Sequence, residues 1–95
     1  MEVKIKKDLF EKMHMQIDQI DFNINSSKFF FSGSVMANTS QRYLYMGITF
    51  LNNEGKVKNC FELTPVKLNP SGYTPFCIRG NTPKEEFFSI EIFPC

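Results

Sequence analysis

The chain has no tryptophan, a single histidine, and three cysteines with no paired spacing. Each shortage bears on a class of chemistry. A zinc site ordinarily takes four ligands at close paired spacings. Cys60, Cys77 and Cys95 supply no C-x-x-C, and His14 would have to complete the set. They read as three independent thiols, reduced in cytosol, with a Cys60–Cys77 or Cys77–Cys95 bridge as the alternative. A Cys–His nucleophile pair needs a positioned partner and an orienting third group. None of the cysteines has a neighbour in the sequence that would lower its pKa. The residues therefore point to no enzyme, no metal and no cofactor.

Charge of one sign is also lacking: eleven basic and ten acidic side chains leave a net +1. A nucleic-acid binder usually carries a basic excess or stripe. The single basic cluster, Lys4, Lys6 and Lys7, is followed at once by Asp8 and Glu11, which reads as a solvated segment. The N-terminus has no apolar run of about 7–15 residues such as a signal peptide needs. No window approaches the roughly 18 apolar residues of a membrane span. The expectation is a chain that binds neither nucleic acid nor membrane. It is cytoplasmic if Met1 starts the gene product, and extracytoplasmic if a leader has been removed.

Other candidate sites carry little. Asp18 with Asp21, and Glu85 with Glu86, are paired carboxylates on which nothing converges. The N-S-S at Asn25 and N-T-S at Asn38 fit a glycosylation acceptor, but these residues abound in turns anyway. The segment Gly80-Asn81-Thr82-Pro83 precedes no helix whose N-terminus could hold an anion.

What the chain has is apolar material: 42% of its 95 residues, including eleven phenylalanines. That suffices for one core and leaves no room for a second, so residues 1–95 form one domain. Asp8 and Glu11 make an acidic variant of a capping pattern, and Phe10, Met13, Ile17 and Ile20 recur at helical spacing. From Ile20 the period changes to two, with Ile20, Phe22 and Ile24. The reading is a helical turn or two at 8–14, then a strand at 16–24.

Further strands follow at 28–38, 42–51, 57–63, 73–79 and 87–93. They are separated by turn chemistry at Asn25–Lys28, Asn38–Gln41, Asn52–Gly55, Leu68–Gly72 and the Gly80–Glu85 loop. Pro65 ends the 57–63 strand or confines it to an edge. Short strands with a turn about every dozen residues imply an antiparallel sandwich, since a parallel sheet would need crossover helices.

Side-chain parity then sorts the faces. Phe29, Phe31, Gly33, Val35 and Ala37 share one face, as do Leu44, Met46, Ile48 and Phe50. Phe88, Ile90 and Ile92 form the core face of the last strand, opposed by Phe87 and Phe93. Phe30, Met36, Tyr43, Tyr45 and Leu51 are left facing outward. Outward aromatics suggest a binding or oligomer surface, unless the N-terminal segment folds back over them.

The stretch from Phe31 resembles the bacterial FxLYD-type domains. Gly33 and Val35 with Asn38 and Ser40 match a G-x-V strand followed by polar residues. Phe50–Gly55 matches an F-x-D-x-x-G hairpin with Asn52 in place of Asp. Leu68-Asn69-Pro70-Ser71-Gly72, then Phe76, matches an L-x-P-G turn with Ser71 inserted. The resemblance spans residues 28–93. It implies an immunoglobulin-like β-sandwich of about six or seven strands, here with a short N-terminal helical turn, and a non-catalytic accessory or interaction module, often extracytoplasmic. The expected partner is a protein, either another chain or a further copy of this one. The alternative reading is a small phage- or mobile-element-encoded inhibitor that binds and blocks a host defence enzyme complex, on grounds of size, leaderless start and Asn/Lys/Ile/Phe-rich composition.

Overall fold

Period-two runs separated by turn residues fold as strands throughout the computed structural model, which describes residues 1–70 and 72–95. The expected Leu68–Gly72 turn thus falls partly outside the described residues, at Ser71. The strands are β1 (Glu2–Ile5), β2 (Met15–Asn25), β3 (Lys28–Ala37), β4 (Tyr43–Leu44), β5 (Met46–Leu51), β6 (Val57–Glu62), β7 (Val66–Lys67), β8 (Tyr73–Asn81) and β9 (Ser89–Pro94). One helix, α1 (Lys7–Lys12), lies between β1 and β2. The protein is mainly β.

Two larger sheets carry the fold, one ordered β1-β9-β5-β6 and the other β2-β3-β8; β4 and β7 make a two-stranded ribbon. The pairings are antiparallel except β1 with β9, which run parallel. The expected six or seven strands become nine among the described residues. Three things raise the number. The 42–51 strand divides at Tyr45, the two residues of β7 pair with β4, and the N-terminus forms a strand that sequence patterning does not show.

Phenylalanine fills the space between the sheets. Phe29 of β3 stacks on Phe22 of β2 at 5.7 Å between ring centroids and meets Phe50 of β5 at 6.2 Å. Phe31 meets Phe76 edge-on at 5.1 Å, and Phe50 meets Phe87 edge-on at 4.8 Å. Such pairs contribute about 0.5–1.5 kcal/mol each beyond their buried area. The buried set spans both sheets: Phe29, Phe31 and Val35 from β3, Met46, Ile48 and Phe50 from β5, Phe76 and Ile78 from β8, Ile90 and Ile92 from β9. The Cα radius of gyration, 13.4 Å, is that of a single unit of this length.

The helical spacing of Ile17 and Ile20 has a different origin from the expected one. In β2 the register shifts between Asp18, opposite Ser34, and Asp21, opposite Ser32, so Gln19 and Ile20 together face Gly33. Gln19 takes φ +54°. This is a β-bulge with its first residue in the left-handed region. The extra residue lets Met15 and Ile17 face inward before it, and Ile20, Phe22 and Ile24 after it.

The helix begins one residue before the expected turn and ends two earlier, and its N-cap is Lys6 without a side-chain bond, so the Asp8–Glu11 capping pattern is not used. His14, at φ +60°, closes the helix through its N–H to the Glu11 carbonyl at 2.9 Å. Phe10 is wholly buried, and α1 packs between β2 and β9.

Candidate binding surface

The five residues expected to face outward do not form one surface. Met36 is exposed and Phe30 half-buried on the outer face of β3; across the ladder they face Tyr73 and Arg79 of β8. Ser32 and Ser34 lie between them on that face. Tyr43 and Tyr45 belong to the other side of the molecule. Tyr45 extends the β5–β9 ladder, its carbonyl accepting the Cys95 N–H at 2.8 Å, so its ring lies on the outer side of the four-stranded sheet. The Tyr43 and Tyr45 rings are 6.3 Å apart and 40% and 47% exposed.

Leu51 corrects the reading: it is 9% exposed. Strand β5 lies between β9 and β6, so neighbours shield its outward positions as well. The Phe93 ring covers Gly47, Thr49 donates to Cys60 Sγ at 3.4 Å, and the Phe88 N–H meets the Leu51 carbonyl at 2.7 Å. Parity alone cannot show that a strand is covered on both faces. Phe87 and Phe88 also exchange the expected roles. The strand starts only at Ser89, so parity does not extend back to them; Phe87 packs on Phe50 while Phe88 is 64% exposed.

The N-terminal segment does not cover the outward aromatics. It pairs along β9, and Lys6 bonds Glu91 at 2.9 Å. That bond raises the Lys6 pKa, partly opposed by desolvation. Residues that sequence reasoning passed over complete the β2-β3-β8 face: Tyr73, 48% exposed, with Pro75 and Arg79. The alternation of Phe76 and Ile78 would have found them.

The cysteines sit on opposite sides. Cys77 is on the outer face of β8, whereas Cys60 and Cys95 are on the outer side of the four-stranded sheet, so the core separates Cys77 from both. All three are free thiols. The Cys95 thiol is raised above its ordinary pKa, first by burial and then by the charges of Glu62 and Cys60. His14 is exposed at the end of α1, Asp18 and Asp21 straddle the bulge, and Glu85 and Glu86 are exposed in the loop before β9. Among the described residues no group of three or more His, Cys, Asp or Glu could hold a metal ion. No described helix is long and apolar enough to cross a membrane.

Comparison with protein-family models, with curated proteins and with solved structures gives no significant match.

Proposed function

We propose that this chain is a non-catalytic protein-binding module of immunoglobulin-like architecture, acting through outward aromatics on a sheet face or through an edge strand. The strand order supports the architecture. In an immunoglobulin sandwich, strands A, B and E share one sheet, and C and F pair in the other. The order β2-β3-β8 corresponds to A-B-E and β5–β9 to C–F, with β6 beside C; β1 lies beside β9 on the side of strand G but runs parallel to it, a departure from the antiparallel sheet. The motif resemblance to FxLYD-type domains points the same way.

The observation that carries the binding reading is the Tyr43–Tyr45 pair, two neighbouring rings held nearly half in solvent where β4 passes into β5, while the alternate residues Leu44 and Met46 are wholly buried. Tyrosine presents a large contact area and a hydroxyl at low entropic cost, which suits an interface. The test is capture of partners from the native host by the wild-type chain and by Tyr43→Ala with Tyr45→Ala, alongside sedimentation of both. A partner or self-association lost in the variant, with circular dichroism unchanged, is the expected result. Identical capture and sedimentation by the two proteins would remove the tyrosine surface from the function.

A further inference from the structure

The two larger sheets leave two open sides where their edges meet, and the chain treats them differently. On one side, α1 fills the gap between β2 and β9, with Phe10 at zero exposure. On the other, the free edges of β6 and β8 bound a groove of about 500 Å³, with Phe29, Phe61, Leu63 and Ile78 among its lining. A smaller hollow of about 280 Å³ continues it along β8 toward Thr74.

The edge of β8 is blunted over one half and bare over the other. Thr82 N–H donates to the Ser27 carbonyl at 2.8 Å, which fixes the parity of the β3–β8 ladder. Gly80, Ile78, Phe76 and Thr74 point their backbone groups at β3, while Asn81, Arg79, Cys77, Pro75 and Tyr73 point theirs away. Of these, Pro75 has no N–H, and the Tyr73 carbonyl accepts Asn69 Nδ2 at 3.0 Å. That half is closed to strand addition. Cys77, Arg79 and Asn81 keep outward N–H and C=O groups with no backbone partner among the described residues. The bare half borders the larger groove. Proteins ordinarily protect such edges, and this one protects only the part away from the groove.

The geometry points to the β6–β8 groove as the docking site for an extended segment of a partner protein, added as a strand along Cys77–Asn81. This inference rests on the reading of the chain as a protein-binding module. Backbone pairing to an edge, with alternate side chains seated in pockets, is an established mode of peptide recognition. Alternation decides what the segment carries. Every second residue would point inward beside Ile78 and Phe61 and should be apolar. The residues between would lie on the outer face beside Arg79. Arg79 and Lys84 on the groove wall have no ion pair among the described residues and outnumber the one acidic residue of the lining, Glu62, which lies on the β6 side; acidic residues should therefore occupy the positions beside Arg79.

The probe is a display library of random linear dodecapeptides panned on the wild-type chain, with amide hydrogen exchange to locate the enriched peptides. We expect apolar residues alternating with Asp or Glu, and exchange at Cys77, Arg79 and Asn81 slowed at least about tenfold in the complex. Arg79→Pro, which removes an outward N–H as Pro75 already does, should weaken binding by about tenfold or more. Arg79→Glu tests the same edge without a backbone change and should select against acidic peptides. Enriched peptides that instead protect amides around Tyr43 and Tyr45 would overturn the groove and leave the protein-binding reading intact. No enrichment overturns the groove too, and the tyrosine capture experiment then decides the broader reading separately. A dimer of the wild-type chain that Arg79→Pro abolishes would give the edge a second copy as its occupant, which also overturns the inference.

Discussion

Gly80 lies directly opposite Phe29 across the β3–β8 ladder, and the Phe29 ring occupies the space a Cβ at residue 80 would need. The same relation recurs between Gly33 and Phe76, and between Gly47 and Phe93, each a directly paired glycine and phenylalanine. A glycine in a strand packs nothing of its own, and a cross-strand ring laid over it recovers that contact. This chain builds a phenylalanine-rich core without tryptophan partly by giving its rings room in this way.

The three pairs should not be equally sensitive. Phe29 is 1% exposed and hemmed in by Phe22, Phe50 and Phe61, so it cannot move aside. Phe93 is only half-buried and can swing toward solvent, although a Cβ at Gly47 would approach its ring to 2.7 Å. Overpacking a rigid core costs about 1–3 kcal/mol. We expect Gly80→Ala to lose about 2–3 kcal/mol in urea unfolding and Gly47→Ala less than about 1 kcal/mol. Equal losses would mean that Phe93 is as confined as Phe29.

The bulge in β2 gives a sharper test, because one residue accounts for it. Removing Gln19 brings Ile20 two positions after Ile17, so Met15, Ile17, Ile20, Phe22 and Ile24 fall on one face of a regular strand. It also removes a residue held at φ +54°. We expect the Gln19 deletion to fold with stability within about 1 kcal/mol of wild type. Deleting Asn23 instead puts Phe22 next to Ile24 and turns everything before it outward; that chain should lose its cooperative melt. Thermal unfolding of the two deletions separates these outcomes.

These elements show what the sequence made legible. Strands β3, β5, β6, β8 and β9 were readable, because each alternates and is bounded by Asn, Gly, Pro or Ser. The outward positions of Met36, Tyr43 and Tyr45 followed from the same parity. Ile17 and Ile20 imitated a helix because a bulge restores inward facing after three residues, a spacing that a helix also produces. Strand β1 was hidden because Glu-Val-Lys-Ile is half-exposed and gains order only from β9, far along the chain. Leu51 was misplaced because burial on an outward face depends on neighbours that the strand's own pattern does not name. The free edge of β8 was beyond reach of pattern altogether: it exists only relative to the strand order.

Cys95 gives a chemical test. Its raised pKa comes first from burial, then from the nearby negative charge of Glu62 and of Cys60 when ionised. An acid whose folded pKa lies above its unfolded one adds stability that is fully present below the unfolded value, near 9.0, and is lost as pH rises through the folded value. The thiolate is the reactive form. At pH 8.5, iodoacetamide should therefore modify Cys95 more slowly in the folded chain than in urea, as read by mass spectrometry of the C-terminal peptide. Equal rates would show that neither the burial nor the neighbouring charges act on it. Replacing all three thiols by serine should cost no more than about 1–2 kcal/mol, and a reducing agent should leave the wild-type melt unchanged.

The last test concerns the closed side of the fold, where a six-residue helix has no side-chain N-cap and is too short to be stable by itself. Its order must come from packing, and Phe10 is its one buried residue. The residue before it, Leu9, is 36% exposed and serves as an internal control. Truncating a buried phenylalanine costs about 3–5 kcal/mol, a large share of the roughly 5–15 kcal/mol that holds a domain of this kind. Phe10→Ala should therefore lower the urea midpoint far more than Leu9→Ala. The damage should also begin locally. With α1 undocked, β1 is held by its four parallel pairs to β9, the Lys6 N–H bond to the Ile92 carbonyl, the Lys6–Glu91 contact and the partial packing of Val3 and Ile5 on the core. Amide exchange at Lys4 and Lys6, whose N–H groups point at β9, should then accelerate at denaturant concentrations where Phe31 and Ile48 remain protected. If all these amides open together in Phe10→Ala, the helix is an integral part of the core, and the N-terminal strand has no separate stability to lose.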